Sequence, residues 1–406
     1  MSFPPVYLDR QGPFHSIASL LTATPSGDKI NANPFVETTL TYALTYIAGK
    51  TRQLPAYTFD PVRVTVLADN DYYSQPHSSS STAGAESGSP PPHTENNPTR
   101  FAKFPTTLRD AHKTGLGSSA ALVTALTAAL LTHYLGAATP GAFDLASDQG
   151  RRTLHNLAQA AHCAAQGKVG SGFDVAAAVY GSIRYRRFSP SVLESLPEAG
   201  APGFAPALCQ CVDDEDRTRW DVEAVADDVR VPRGVALRMC DVDCGSQTVG
   251  MVKQVLAWRG RDEAGSRALW DELQAANEAL AAVLRNDEGR TDEIRAAVAR
   301  ARALIRDMGA RSGVPIEPDS QAALLDALTA EVDGVYAGVV PGAGGFDALA
   351  LLVRDDQDTE RRVRQFLADW SRRPENAGSV VRLLDVKGEM AGVRTEGLEQ
   401  YAGWLL

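Results

Sequence analysis

Residues 113–121 are Lys-Thr-Gly-Leu-Gly-Ser-Ser-Ala-Ala, and residues 122–136 continue as LVTALTAALLTHYLG. The second stretch is rich in Ala and Leu, which favours a helix. Glycines let the backbone turn tightly before it, and a helix start offers N–H groups and a positive dipole end to a bulky anion. A glycine turn with a serine cap is the simpler alternative. Because G-L-G-S-S-A-A precedes a helix of small residues, the pattern favours a phosphate-binding loop.

The composition of this loop suits ATP and Mg²⁺. Its serine hydroxyls can donate to phosphate oxygens or hold magnesium, which prefers oxygen ligands. We expect Ser119 to be the magnesium ligand. No G-K-[ST] follows at Walker spacing, and no strand–GxGxxG unit supports a dinucleotide-binding fold. The predicted nucleotide-binding residues are Lys113, Gly115, Leu116, Gly117, Ser118, Ser119 and Ala120.

A second segment, QGKVGSGFDVAAAVYGS at residues 166–182, contains candidate catalytic residues. Gly167 is expected to end one helix, so that Asp174 falls in the first turn of the next helix. There the helix dipole favours the ionised carboxylate, which could orient or deprotonate a phosphoryl acceptor. An isolated Asp at a helix start is more often a simple cap. Lys168 and Ser171 could supply a cation and a hydroxyl to a phosphorylated substrate.

Both segments resemble those of the GHMP kinases, the superfamily of galacto-, homoserine, mevalonate and phosphomevalonate kinases. Their K-T-G-L-G-S-S-A-A and G-S-G-x-D versions are similar to fungal-type phosphomevalonate kinases, and the resemblance runs from about residue 31 to the C-terminus. It implies an α+β fold in which a mixed N-terminal domain of ribosomal protein S5-like type precedes a ferredoxin-like domain. ATP is expected between the two domains.

The resemblance also implies a reaction and further site residues. It implies transfer of the ATP γ-phosphate to 5-phosphomevalonate, with Asp174 and Lys168 as catalytic residues. Two later segments, G-S-Q-T at residues 245–248 and a glycine-rich hinge within residues 338–353, are similar to family segments beside the substrate and the phosphates. The substrate-binding residues implied are Lys168, Ser171, Ser246, Thr248 and Gly344.

The sequence departs from the family pattern in three places. Ala111 stands where most members have proline, and Cys163 stands where many mevalonate kinases have a metal-binding Glu. Nothing before Asn31 matches the family's first motif or its lysine, so either an incomplete start or a lost element is expected. The alternatives left open are a mevalonate or homoserine kinase, an inactive nucleotide-binding member, and a structural or interaction protein.

Composition limits the partners and the setting. Apolar residues make up 44% of the 406 residues and charged residues 22%, as in soluble folded proteins. The net charge of −10 and the lack of a Lys/Arg run argue against nucleic acid. The five cysteines lack C-x-x-C spacing, so we expect incidental thiols. No signal peptide or membrane span is expected, which predicts a cytoplasmic protein without a membrane partner.

The length predicts two domains, since a single core rarely grows beyond about 300 residues. We place the N-terminal domain at 1–190, a connecting segment at 191–232 and the C-terminal domain at 233–406. Residues 74–99 are rich in Ser, Pro and Gly, which predicts a mobile surface loop. Alternation predicts a strand over residues 62–67. Residues 260–330 favour three helices, and the remainder alternates strand, helix and strand.

Overall fold

A computed structural model describes residues 33–51, 62, 64–68, 117–136, 143–226, 230–243, 248–286, 290–346, 348–376, 380–388 and 390–401. The chain forms two compact units. The first contains residues 117–227 together with 1–67 and 389–406, and the second contains residues 228–388 together with 68–116. The predicted loop at 74–99 lies outside the described residues.

Four helices build most of the described first unit: α1 (Pro34–Thr51), α2 (Ser118–Leu131), α3 (Asp148–Gln166) and α4 (Phe173–Tyr180). The start of α1 follows capping rules, because the Asn33 side chain accepts hydrogen bonds from the N–H groups of Phe35 and Val36. Pro34 then occupies the first helical position, where its missing N–H has no consequence.

Helix α3 lies at the centre of this unit. Its side chains at Leu154, Leu157, Ala158 and Ala161 have no exposed surface. Helices α1 and α2 pack against α3 and against each other, and α4 packs against α2 and α3. Burial of this apolar surface is the main stabilising contribution to the unit. Helix α2, which begins in the predicted phosphate-binding loop, and helix α4, which carries Asp174, therefore share one core.

Helix α2 and its π-helical end span Ser118–Gly136. By length and composition alone this helix could cross a membrane, with a mean hydropathy of 1.4. However, 56% of that apolar stretch is buried inside the protein. A core helix of a folded domain passes the same test, so this helix is weak evidence for a membrane.

The predicted connecting segment, 191–232, contains regular structure that belongs mostly to the first unit. Strand β1 (Ile183–Arg186) precedes helices α5 (Ser191–Glu194) and α6 (Phe204–Asp213), and β1 pairs antiparallel with β2 (Glu223–Ala226). Trp220 is buried and donates its indole N–H to the carbonyl of Cys211. Although most of its sequence is polar, the segment folds because apolar side chains such as Trp220 are buried.

The last described residues of the chain also pack in the first unit. Val393 donates its N–H to the carbonyl of Ala178 in α4, at 2.9 Å. A 3₁₀ turn follows at Leu398–Tyr401. The predicted C-terminal domain, 233–406, includes Val393, which contacts α4 of the first unit. The exact domain boundaries stay a prediction.

The second unit contains β3 (Val235–Asp243), helices α7 (Thr248–Arg261), α8 (Glu263–Arg285), α9 (Thr291–Ser312) and α10 (Asp319–Glu331), strands β4 (Val335–Val339) and β5 (Ala348–Arg354), helix α11 (Gln357–Arg372) and strand β6 (Val380–Lys387). The strands form one antiparallel sheet in the order β4-β5-β3-β6. Strand–helix–strand–strand–helix–strand connectivity with this order is ferredoxin-like, with four helices in the first connection. The α+β prediction is confirmed.

The sheet packs against α10 and α11 through a buried cluster of aliphatic residues. Leu325, Leu328, Leu349 and Leu351 have no exposed surface. Alternate residues of β5 point to this cluster, as expected for a strand with period two. The pattern of apolar residues therefore explains why the predicted strand near 346–353 forms.

An ion cluster joins α9 to the segment before α10. Arg302 donates to both carboxylate oxygens of Glu317, and its remaining nitrogen contacts Asp326 at 2.7 Å. Arg306 donates to Oε1 of Glu317 at 3.0 Å. The side chain of Glu317 is only 1% exposed and that of Arg302 is 9% exposed. A buried carboxylate requires such partners, because desolvation of an unpaired charge is expensive.

The predicted strand over residues 62–67 is wrong for the residues described there. Residues 62 and 64–67 form neither helix nor strand. Alternating β-branched residues favour a pleated conformation, yet a strand exists only where a neighbour completes its backbone hydrogen bonds. None of the described residues pairs with this stretch.

Candidate active site

The start of α2 has the geometry of an anion-binding site. Gly117 precedes the helix with a φ of 74°, in the left-handed region that glycine adopts without strain. The N–H of Ala121 donates to the carbonyl of Gly117, which closes the first helical turn. The first turn of a helix presents N–H groups that lack an acceptor within the helix. Gly117 itself has no side chain that could cap this helix start.

The predicted nucleotide-binding residues are only partly described. Gly117, Ser118, Ser119 and Ala120 lie together at this helix start. Ser118 and Ala120 are buried, and Ser119 is half-buried. Lys113, Gly115 and Leu116 lie outside the described residues, so their roles stay predictions.

Asp174 lies in the first turn of α4, as its sequence context predicts. Gly167 ends α3 in a left-handed conformation, and Gly172 with a φ of 78° precedes α4. One carboxylate oxygen of Asp174 accepts the N–H of Val175 at 2.9 Å. The side chain remains 22% exposed. It therefore combines a fixed orientation with access from solvent.

The starts of α2 and α4 meet. A Cβ atom placed on Gly117 would lie 3.3 Å from the Cβ of Asp174, closer than most real contacts of that kind. The glycine at the end of the predicted phosphate loop therefore lies directly against the predicted catalytic aspartate. Two segments that are far apart in sequence form one site in the first unit.

His162 joins these two helix starts, and sequence reasoning missed it. Its Nε2 lies 3.0 Å from the Ser119 hydroxyl and 3.9 Å from the nearer oxygen of Asp174. The ring is 2% exposed. Burial lowers the pKa of His162 from its ordinary value, and the Asp174 carboxylate opposes that shift. The signal available in the sequence was a second histidine one heptad after His155, on the inward face of α3.

Strand β1 and the residue after it support the loop between α3 and α4. The Tyr185 hydroxyl donates to the carbonyl of Ser171 at 3.1 Å. Arg187 donates to the carbonyls of Gly170 and Val169, both at 3.0 Å. These contacts fix the backbone while leaving two predicted substrate residues exposed. Those two residues are Lys168 and Ser171.

Cys163 is a buried thiol next to this site. Gln159 donates to its sulfur at 3.3 Å. Burial raises the pKa of the thiol, so it is a poor nucleophile and a poor anionic ligand at neutral pH. This environment agrees with the expectation of an incidental thiol.

The described residues offer few metal ligands. No group of three or more His, Cys, Asp or Glu side chains suited to a metal occurs among them. Ser119 and Asp174 nevertheless supply one hydroxyl and one carboxylate, both within 4 Å of the His162 ring. Magnesium commonly takes one or two protein oxygens and completes its shell with phosphates and waters. The donor set therefore fits magnesium that arrives with a nucleotide.

The residues predicted in the second unit are described separately. Gly344 lies in the loop between β4 and β5, and the N–H of the next residue donates to the carbonyl of Ile316 at 2.9 Å. Gln321 donates to the carbonyl of Phe346 at 2.8 Å, which also fixes this loop. Thr248 begins α7, and Ser246 lies outside the described residues. The substrate contacts of these residues stay predictions.

Comparison with known proteins identifies the family. Residues 104–182 match the GHMP kinases N terminal domain. A phosphomevalonate kinase of Gibberella zeae is 56% identical over 385 residues, which are 95% of this chain and 81% of that protein. The chain belongs to the phosphomevalonate kinase family. The family resemblance inferred from the motifs is confirmed.

A second family relative agrees with this assignment. The phosphomevalonate kinase of Aspergillus fumigatus is 48% identical over 386 residues, covering 92% of this chain and 75% of that protein. Among solved structures, the Lin0012 protein from Listeria innocua superposes with a TM-score of 0.56 at 17% identity. That match covers 89% of this chain and 84% of the Listeria protein. Because the identity is low, the match supports the fold alone.

Proposed function

We propose that the protein is an ATP-dependent kinase that transfers the γ-phosphate of ATP to 5-phosphomevalonate, giving ADP and 5-diphosphomevalonate. The observation that carries the proposal is the contact between Gly117 and Asp174. It joins an anion-binding helix start to a carboxylate suited to hold an acceptor. Relatives at 56% and 48% identity are named phosphomevalonate kinases, which supports this choice of substrate. The product is a diphosphate of the mevalonate pathway to isoprenoids.

The first turn of α2 binds the ATP phosphates in this proposal. The amides of Ser119 and Ala120 face an anion at the helix start, where the dipole adds attraction. Lys113, Gly115 and Leu116 are proposed to complete the loop around the phosphates. The absence of a side chain at Gly117 leaves room for the backbone and Asp174 to approach.

Magnesium is proposed to accompany the nucleotide and to be held by the Ser119 hydroxyl, with the Asp174 carboxylate nearby. When bound, the ion neutralises phosphate charge that develops during transfer. The protein's own contribution is to fix the positions of these two oxygen atoms.

Asp174 is proposed to orient the acceptor phosphate of the substrate. That phosphate is already acidic, so its position matters more than removal of a proton. Lys168 and Ser171 are exposed on the loop before α4 and are proposed to bind the substrate phosphate. Ser246, Thr248 and Gly344 are proposed as further substrate contacts.

Substrate assays test this reaction. Release of ADP should depend on 5-phosphomevalonate and be at background with mevalonate or homoserine. Activity only with mevalonate would replace the proposed substrate. Binding of Mg·ATP without ADP release from any acceptor would favour an inactive nucleotide-binding member. Absence of both binding and turnover would leave a structural or interaction protein.

An Asp174→Asn variant tests the acceptor-orienting residue. The amide keeps the shape of the side chain but removes the charge, so we expect kcat to fall about 10²- to 10⁴-fold. The dissociation constant for Mg·ATP, measured by calorimetry, should change little. Asp148→Asn is the matched control, since Asp148 is an exposed aspartate in the first turn of α3. Full turnover by the Asp174→Asn variant would contradict the assigned role.

A cytoplasmic location is part of this proposal. ATP and the phosphorylated substrate are charged and water-soluble, and a cytoplasmic enzyme has direct access to both. Fractionation of cells expressing the protein should recover it with cytoplasmic markers. Recovery in an organelle fraction would reject this location.

A further inference from the structure

His162 has one short polar contact and one longer one. Its Nε2 is 3.0 Å from the Ser119 hydroxyl, a hydrogen-bond distance. Its separation of 3.9 Å from Asp174 is too long for a hydrogen bond. The ring thus contacts Ser119, which belongs to the predicted phosphate-binding loop, and lies close to Asp174, the predicted acceptor-orienting residue.

The ring itself is held in place. It is carried by the central helix α3 and is 2% exposed. The ring of Phe35 packs against it with centroids 5.6 Å apart, and the Gln166 amide lies 3.3 Å from Nε2. Close packing of this kind restricts a side chain to one rotamer. A fixed ring can impose its geometry on a more mobile neighbour.

We propose that His162 is a positioning residue that holds the Ser119 hydroxyl in one fixed position beside the Asp174 carboxylate. This inference rests on the proposed kinase function. His162 contacts neither ATP nor the substrate in this role and acts through Ser119.

Hydrogen bonding explains how the ring acts. A serine side chain can otherwise occupy three staggered χ1 rotamers, and a hydrogen bond from its hydroxyl to a fixed nitrogen favours one of them. In one tautomer Nε2 accepts the hydroxyl proton, which leaves the serine oxygen lone pairs for a cation. In the other Nε2 donates, which turns the hydroxyl proton toward a phosphate oxygen. Either tautomer fixes the Ser119 oxygen.

Four proteins test this role: wild type, His162→Leu, Ser119→Ala and the double variant. Loss of a residue that orients a ligand typically costs about 10- to 100-fold in activity. We expect His162→Leu to lower kcat by this factor with little change in KM for 5-phosphomevalonate. The loss in the double variant should be clearly smaller than the product of the two single losses, because both variants break the same hydrogen bond.

Conservative variants separate positioning from packing. In His162→Gln the amide nitrogen reaches the place of Nε2, whereas in His162→Asn it reaches the place of Nδ1. We expect the Gln variant to recover much of the kcat and the Asn variant to recover little. Both substitutions are polar, so the comparison remains available if the leucine variant does not fold.

His155 provides a matched control on the same helix. It is equally buried, but its neighbours are Asn156, Tyr180 and Trp220. His155→Gln should lower the unfolding midpoint while kcat per folded molecule stays near the wild-type value. If His162→Leu behaves in the same way, the positioning role is rejected.

Further outcomes overturn the inference separately from the proposed function. Equal kcat values for the Gln and Asn variants, or single losses that multiply in the double variant, would reject it. If wild type binds Mg·ATP but phosphorylates no 5-phosphomevalonate, the proposed reaction fails. The coupling between His162 and Ser119 is then measured from Mg·ATP affinity in the same four proteins, and independent losses in affinity would reject it.

Discussion

At the scale of single residues, Gly172 combines a demanding backbone conformation with crowded surroundings. Its φ is 78°, and a Cβ placed there would lie 2.7 Å from the Gln159 side-chain oxygen and 2.8 Å from the Tyr185 hydroxyl. Both neighbours belong to elements that hold the loop before Asp174. A side chain at this position must therefore displace both of them.

We predict that Gly172→Ala destabilises the protein and lowers kcat. The left-handed conformation costs a non-glycine residue roughly 1–2 kcal/mol, and the overlap adds about 1–3 kcal/mol. Urea unfolding measures the loss of stability, and the ADP-release assay measures kcat.

Gly167→Ala is the matched control for that variant. Gly167 has a similar φ of 67°, but a Cβ placed there would meet none of the described atoms within 4 Å. It should show the backbone cost alone and retain most of its turnover. Equal effects of the two substitutions would mean that crowding around Gly172 is unimportant.

Single residues also show what the sequence could predict. The positions of Gly117 and Asp174 at helix starts were predicted, because such positions depend on neighbours in sequence: a glycine before a helix and an acid in its first turn. His162 was not, because its role depends on Ser119, which lies on another helix. Pattern alone cannot separate a ring that faces a site from one, such as His155, that faces the core.

At the scale of elements, the pair Arg302 and Glu317 fixes α9 against the segment before α10. That segment also accepts the N–H of Gly345 at the Ile316 carbonyl, so the ion cluster supports the glycine-rich loop of the second unit. The importance of the cluster depends on burial, since exposed ion pairs contribute little.

We predict that Arg302→Met destabilises the protein by about 3 kcal/mol, because it leaves the buried Glu317 carboxylate with too few partners. Arg306→Met is the control: it removes an arginine from the same helix and the same carboxylate, but its side chain is 43% exposed. We expect a loss below about 1 kcal/mol there. Urea unfolding measures both, and similar losses would show that burial does not decide the contribution.

Elements differ in how well sequence predicts them. Helices α8, α9 and α10 and the final strand–helix–strand were predicted, because Ala-rich periodicity and apolar runs act locally. The same alternation failed at residues 62–67, since strand formation depends on a partner elsewhere in the chain. The contact between β1 and the loop before α4 could not be predicted from sequence either, because it depends on how segments distant in sequence pack together.

At the scale of the whole molecule, all described residues proposed to bind ATP phosphates lie in the first unit. We predict that Mg·ATP slows hydrogen exchange at residues 118–121 and 173–175. A ligand present at 100 times its dissociation constant stabilises the folded state by about 2.7 kcal/mol, so thermal unfolding should also shift upward.

The first turn of α3 serves as the internal control for this measurement. Ser147 caps it by accepting the N–H of Gly150, so its exchange should not depend on nucleotide. Magnesium alone should give little protection at 118–121. If Mg·ATP leaves these amides unaffected in a folded sample, the assignment of this helix start to phosphate binding is wrong.

The contact between Val393 and Ala178 connects the order of synthesis to the completion of the first unit. Domains generally fold as they leave the ribosome, starting from the N-terminal end. Helix α4, which carries Asp174, receives this hydrogen bond only after translation has passed residue 393, beyond the last strand of the second-unit sheet. A polypeptide that ends shortly after β6 would thus contain the complete second-unit sheet but would lack this hydrogen bond to the helix of Asp174.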